Sequence, residues 1–550
     1  MKYLLILAGA VMITAYDTSR EISQGDLLTP YEETSTAGNV FLSTIDQDLE
    51  EVTITKLQSF YSDRKYTVTQ VTKWYLERIA RYDSVYKAII YVDAAGALAT
   101  AAAEDQAVAK ADNNFKHGPL WGVPIVIKAN TSVKGLVTSA GWKGYVIPGH
   151  ELIAPADAPV VAKLKAAGAI ILGQTNMPDF ANSDTNMSTA GGRTGNAYDW
   201  RFSPGGSSGG TVTAVAANYA VLGTGTDTGN SIRMPSATSS LVGVLPTRGL
   251  VSIAGIQPLD WLLDDTGPIA RSVMDAAITL DVMAGEDPSD FRTKGSASKA
   301  QAGPYTQYLK QDALKGKRFG VPAFIVKESG PGLLLWPETR QAFMKSLEGL
   351  RAAGATVVFD DSILPDLQFV QAVNTEPYIR EGVENFLHDF GPAEYHSARD
   401  YERVVGSPLP DFVLGIFEGS KVKQRVIETD PESEKLFWAP QRAALAAYEE
   451  PLNRLHLDGY VYPAIQMPPN DETIPQPDGK PSTGPHSMTG WVNPLGVPAI
   501  VVPGGFYPSG LPFGLELSAR RWKDGDLLGW AYAYEQATKH RKPPVLVEKR

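Results

Sequence analysis

Not one of the 550 residues is cysteine, so the fold cannot rest on disulfides and must be held by its own core. With no thiolate available, a structural zinc site is not expected either. Histidine is scarce: His117, His150, His388, His396, His456, His486 and His540 are the full set, and no two stand at zinc-ligand spacing. No metal and no cofactor are expected. Basic runs are also missing. Fifty lysines and arginines face 61 acidic residues, a net charge of −11, and no stripe is rich enough to neutralise a phosphate backbone. A nucleic-acid partner is therefore excluded. No repeat of solenoid period is visible. No apolar run approaches the roughly 20 residues that a transmembrane helix needs.

What is there is an ordinary globular composition, 43% hydrophobic and 20% charged, able to build a large core. The chain opens with Lys2 and an apolar stretch, Leu4 to Ile13, followed by small Thr14 and Ala15 and then polar residues. This reads as a secretory signal peptide over 1–15, with a buried N-terminal helix or strand as the alternative. The mature protein is accordingly expected to be exported, without a membrane span, as a monomer or homodimer. Residues 16–65 read as an N-terminal extension, loop-like over 20–50. Residues 66–545 read as a single domain, with a helical cleft-forming region at about 330–445.

Helical spacing of Val71, Trp74, Tyr75 and Ile79 predicts a helix over 67–82, and the alanine-rich stretch 94–111 predicts another. Short apolar runs at 122–127, 169–172, 318–321, 356–359, 459–462 and 499–502 read as strands buried on both faces. Two of them follow a helix and a glycine: 160–167 with Gly168, and 338–353 with Gly354. A final helix is expected at 526–538. The alternation predicts an α/β fold: a large mixed, mostly parallel central sheet covered by helices on both faces. Stretches 286–312 and 463–490 read as long loops, the second bordering a cleft. Phe369, Tyr378, Phe386, Phe412 and Phe417 suit a cleft wall or a core equally well.

The least ordinary segment is 203–252. Two glycine-serine clusters, Gly205-Gly206-Ser207-Ser208-Gly209-Gly210 and Gly225-Thr226-Asp227-Thr228-Gly229-Asn230-Ser231, flank a helix of small residues. Glycine permits left-handed backbone and close approach to main-chain N–H groups, and consecutive N–H groups can hold an oxyanion. The bland reading of each cluster is a flexible loop. Against it, Asp227 and Arg233 flank the second serine turn and are expected to brace it as a partly buried pair. A nucleophile elbow centred on Ser208 matches G-x-S-x-G literally, but Asp199 to Pro204 before it do not read as a strand. Lys128, closing the apolar run Val123–Ile127, could alone be a snorkelling strand-end lysine.

With its surrounding phrases the segment resembles the amidase signature family. The matching phrases are Gly122-Val123-Pro124 to Lys128, Gly173-Gln174-Thr175-Asn176-Met177, Thr266-Gly267-Pro268-Ile269-Ala270-Arg271-Ser272, Gly496-Val497-Pro498-Ala499 and Gly510 to Leu515. The resemblance spans roughly Tyr66 to Pro544. It implies that a carboxamide of a small molecule or peptide is hydrolysed through Ser231 as nucleophile, Ser207 on a cis peptide bond as proton relay, and Lys128 as base. Ser208 would orient the relay. The N–H groups of Thr228, Gly229, Asn230 and Ser231 would form the oxyanion hole. Two other readings remain, a non-catalytic amide-binding member and an amidotransferase-type subunit. This chain departs from the family pattern in two places. Lys128-Ala129-Asn130 stands where Lys-Asp-Asn is usual, and Gly229-Asn230-Ser231 where Gly-Gly-Ser is usual. Asn tolerates left-handed angles, which is expected to preserve the turn.

Overall fold

The computed structural model describes residues 43–110, 117–327, 335–474 and 484–548. The expected signal peptide lies outside the described residues. Eleven strands form one sheet: β1 (Ile89–Val92), β2 (Val123–Lys128), β3 (Ala169–Thr175), β4 (Leu222–Asp227), β5 (Val242–Leu245), β6 (Asp265–Ala270), β7 (Arg318–Val321), β8 (Thr356–Phe359), β9 (Gly459–Pro463), β10 (Ala499–Phe506) and β11 (Pro512–Ala519). Their spatial order is β1-β3-β2-β4-β6-β5-β10-β11-β9-β7-β8. Strands β2, β3, β4 and β6 are buried at every position, so helices and loops cover both faces of the sheet there.

The mixed sheet matches the expectation, but it is not mostly parallel: four of its ladders are parallel and six antiparallel. Parallel ladders join β3 to β2, β2 to β4, β9 to β7 and β7 to β8. The other pairings are antiparallel. Connection length explains the difference. A helix crosses from β2 to β3 (Pro159–Ala166) and another from β7 to β8 (Pro337–Ala352), as a parallel pair requires. The short link 507–511 between β10 and β11 permits only an antiparallel pair.

Local chemistry sets the element ends. Helix Val68–Tyr86 starts at Thr67, whose side chain accepts from Gln70 N–H while the Gln70 side chain returns to Thr67 N–H. It buries Val71, Trp74, Tyr75 and Ile79, the stripe read from the sequence. Gly168 adopts φ +91°, and a Cβ there would lie 2.6 Å from the Trp121 backbone, so the entry into β3 requires glycine. The loop-like reading of 20–50 fails at its end. Capped helices Thr44–Leu49 and Ile54–Ser62 put Leu49, Ile54, Leu57 and Phe60 into the main core. Short stretches that begin with a capping Ser or Thr lack the length that makes a periodic pattern visible.

Tyr378 and Phe386 are buried in two satellite cores, and Phe369 and Phe412 pack against them. Both uses are observed: these four pack in or against cores, Phe386 also lines a cavity with Ile253, Pro258 and Trp261, and half-buried Phe417 belongs to none of the cores. Among the described residues no helix is long and apolar enough to cross a membrane.

Candidate active site

Lys128 ends β2, deep in the molecule and wholly buried. Its Nζ donates to Ser207 Oγ at 2.7 Å, Thr226 Oγ1 at 2.8 Å, Ser208 Oγ at 3.0 Å and Thr226 O at 3.3 Å. The peptide bond Gly206–Ser207 is cis. Burial pushes the lysine from its ordinary 10.5 down to about 7, against the opposing pull of the Asp227 and Asp264 carboxylates. A lysine in that range is partly neutral near pH 7 and can accept a proton.

Helix Gly209–Ala216 follows Ser208 directly. The glycines of the first cluster serve close packing more than turning. A Cβ on Gly206 would lie 2.6 Å from Ser183 O, one on Gly209 2.6 Å from the Asn186 side chain, and one on Gly210 2.2 Å from Asn176 O. A Cβ on Gly225 in β4 would approach Ser208 Oγ to 2.9 Å. No strand immediately precedes Ser208, so the elbow geometry is not formed.

The second cluster leaves β4 at Asp227 and turns into helix Arg233–Ala237. Ser231 lies at the end of this turn, and its carbonyl accepts from Ser208 N–H at 3.1 Å, which joins the two clusters. Its Oγ donates to Asn230 Oδ1 at 3.3 Å. The structure thus joins Lys128, Ser207 and Ser208 by direct side-chain bonds and brings Ser231 beside them through the backbone. Neither Gly229 nor Asn230 is among the described residues with left-handed φ. Asparagine therefore replaces the usual glycine without backbone strain, for a different reason than the expected tolerance of left-handed angles. Among the described residues no backbone carbonyl accepts a hydrogen bond from the N–H of Gly229, Asn230 or Ser231.

The Asp227–Arg233 brace is fully rather than partly buried. Asp227 accepts from Arg233 Nε and Nη2, both at 3.1 Å, from Ile232 N–H at 2.9 Å and from Asn493 Nδ2 at 2.9 Å. Burial alone would raise its carboxyl, but Arg233 and these donors hold it below the usual carboxylate range. Arg233 reaches further, to Glu516 at 2.7 Å, Gly229 O at 3.0 Å, Asn493 Oδ1 at 2.6 Å and Thr489. One guanidinium thus fastens the serine turn to β11 and to the loop before β10.

Sequence reasoning missed several partners. Thr226 contacts the lysine twice and also accepts from Asn130 Nδ2 at 3.1 Å. Asp264 accepts from Thr228 Oγ1 at 2.5 Å. Asp184 accepts from Asn230 Nδ2 at 2.8 Å and lies 3.7 Å from His486 Nδ1. Thr226 could have been found, because it precedes Asp227 in the quoted cluster. Asp184 and Asp264 carry no local pattern. Ala129 is buried with Met177 and Ala181, and Ile90 and Leu259 pack against them, so the place of the usual acid is apolar. The loop 463–490 does border the site, through His486 and Thr489.

Comparison with known proteins gives one answer. The family model described as Amidase matches residues 70–528. The glutamyl-tRNA(Gln) amidotransferase A subunit of Alkaliphilus metalliredigens (strain QYMF) is 32% identical over 497 residues, covering 89% of this chain and 96% of that protein. The native peptide amidase structure from Stenotrophomonas maltophilia superposes with TM-score 0.74 at 29% identity, covering 90% of this chain and 99% of that one. An amidase family protein from Bacillus anthracis str. Ames gives TM-score 0.72 at 28% identity, covering 91% and 93%. The chain belongs to the amidase signature family.

Proposed function

We propose that this protein is an amidohydrolase that cleaves a carboxamide C–N bond to a carboxylate and ammonia or an amine. The observation that carries the reading is the wholly buried Lys128, brought near neutrality and bonded at 2.7 Å to Ser207. Neutral Lys128 takes the Ser207 proton, Ser207 takes the Ser231 proton, and Ser231 Oγ bonds to the carbonyl carbon. The proton on Lys128 returns through Ser207 to the leaving nitrogen as the C–N bond breaks. Water then hydrolyses the acyl-enzyme by the same relay in reverse. The N–H groups of the 228–231 turn receive the oxyanion, held in place by the Asp227–Arg233 brace.

A second reading, an amidotransferase-type subunit, is favoured by the 32% identity to an amidotransferase A subunit. Export, as read from the apolar stretch Leu4 to Ile13, favours the hydrolase reading instead. A panel of peptide, aliphatic and aryl amides, with Ser231→Ala and a fluorophosphonate probe as controls, tests the main reading. Amide hydrolysis by the isolated wild-type protein, lost together with labelling in Ser231→Ala, is the expected result. Activity retained in Ser231→Ala would refute it. Recovery from the cytosol in a tight complex with a second subunit would support the amidotransferase reading instead.

A further inference from the structure

Among the described residues, Asn230 is the one side chain bonded to the Ser231 hydroxyl. Its orientation is fixed by chemistry. A carboxylate only accepts, so the nitrogen end of the Asn230 amide must face Asp184, 2.8 Å away. The oxygen end is then left to face Ser231, which must donate to it. The Ser231 proton is thereby aimed at Asn230 Oδ1 and away from Ser207. Attack requires the opposite, because the proposed relay takes that proton through Ser207 Oγ. The bond must break first, and Asn230 Oδ1 then needs another donor, since both residues are almost fully buried.

We infer that Asn230 is a specificity-determining residue that accepts the N–H of the scissile amide, and that Asp184 is the positioning residue that keeps its oxygen turned to the site. When an amide enters, its N–H replaces the Ser231 hydroxyl as donor to Asn230 Oδ1, and the freed hydroxyl turns to Ser207. An ester of the same acid has no N–H and leaves the serine held. The exchange moves hydrogen bonds only, so the covalent steps are those already given. It makes amides with at least one N–H the favoured substrates over esters and over tertiary amides. Asp184 is 16% exposed at the side chain and faces Asn230 on one oxygen and His486 on the other, so it is held between the two. The inference rests on the hydrolase reading above.

The experiment compares kcat/KM for a hydrolysed amide and for the ester of the same acyl group, in wild type, Asn230→Gly and Asp184→Asn. Asn230→Gly is expected to lower amide turnover and to raise ester turnover, so that the amide-to-ester ratio falls about tenfold, the scale of one hydrogen bond. Asp184→Asn keeps the shape but lets the amide of residue 230 turn over, and the ratio should fall in the same direction by a smaller factor. A structural role alone would lower both substrates equally and leave the ratio unchanged, and that result in either variant overturns the inference. Fluorophosphonate labelling separates the two proposals. It should persist in both variants, and rise in Asn230→Gly as ester turnover does because the probe carries no N–H, and its presence in Ser231→Ala would refute the hydrolase reading itself.

Discussion

Lys128→Met tests the central electrostatic claim without reference to any substrate. The lysine is held at about 7 in the folded protein, against an ordinary value of 10.5. That gap is worth about 5 kcal/mol at roughly 1.4 kcal/mol per tenfold change in proton affinity. The sign follows from proton counting. Between pH 7 and 10.5 the unfolded chain keeps the lysine proton while the folded protein has released it, so the unfolded state binds more protons and stability rises with pH. Below pH 7 both states are protonated and the full penalty of the buried ammonium is present. Methionine removes the titration, although Ser207, Ser208 and Thr226 then lose a partner, a cost of about 1–3 kcal/mol for each group left unsatisfied. The absolute stability of the variant is therefore a balance, whereas its pH dependence is not. In urea titrations, the unfolding free energy of wild type minus that of Lys128→Met should climb by about 1.4 kcal/mol per pH unit above neutrality. A difference that stays flat between pH 7 and 10 would refute a buried, neutral lysine. The same group predicts that kcat/KM falls as pH drops through about 7.

Thr226→Val keeps the shape of the strand but removes an acceptor 2.8 Å from the lysine. Loss of an acceptor disfavours the ammonium form, so the acid limb of the kcat/KM profile should move to lower pH while kcat drops about tenfold; a limb that moves upward counts against the contact. Ala129→Asp restores the usual family residue and should not help here. The site is apolar, lined by Met177, Ala181, Ile90 and Leu259, so a carboxylate there should cost several kcal/mol in urea unfolding and leave activity no higher than wild type. A more active, equally stable Ala129→Asp would show that the departure is a simple loss.

Much of the frame was legible because its signals are local. The stripe Val71, Trp74, Tyr75 and Ile79, the run Val123–Ile127 and the two helix-glycine-strand phrases all became the elements they predict. Of the strands at the site, β2 is legible in the sequence, whereas β4 and its neighbour β6 are not. β4 reads LGTGTD and β6 reads DTGPIA, with the glycine, proline and acid that strand propensity disfavours. Their composition answers to neighbours instead of propensity: Gly223 leaves room for Thr211 and Val126, Gly225 for Ser208 and Ile232, and Gly267 for Val244 O. A strand that makes space for a buried network of lysine and serine side chains loses the apolar pattern by which strands are recognised.

The two departures from the family pattern follow the same logic and lead to different ends. At position 129 the carboxylate is gone and apolar packing has closed over its place, while Asp227 and Asp264, reached from β4 and from the turn before β6, supply the negative charge that acts on Lys128. Neither could be matched to the lysine from sequence, since they lie 99 and 136 positions away (227 − 128 and 264 − 128). At position 230 a side chain has been added where the family has none, and it did not remain idle. It bridges Asp184 to Ser231, and its oxygen accepts the Ser231 hydroxyl proton. On the inference drawn above, a residue so placed changes which substrates release that proton. The selectivity of this hydrolase is therefore to be sought within the serine turn as well as in the walls of its cleft.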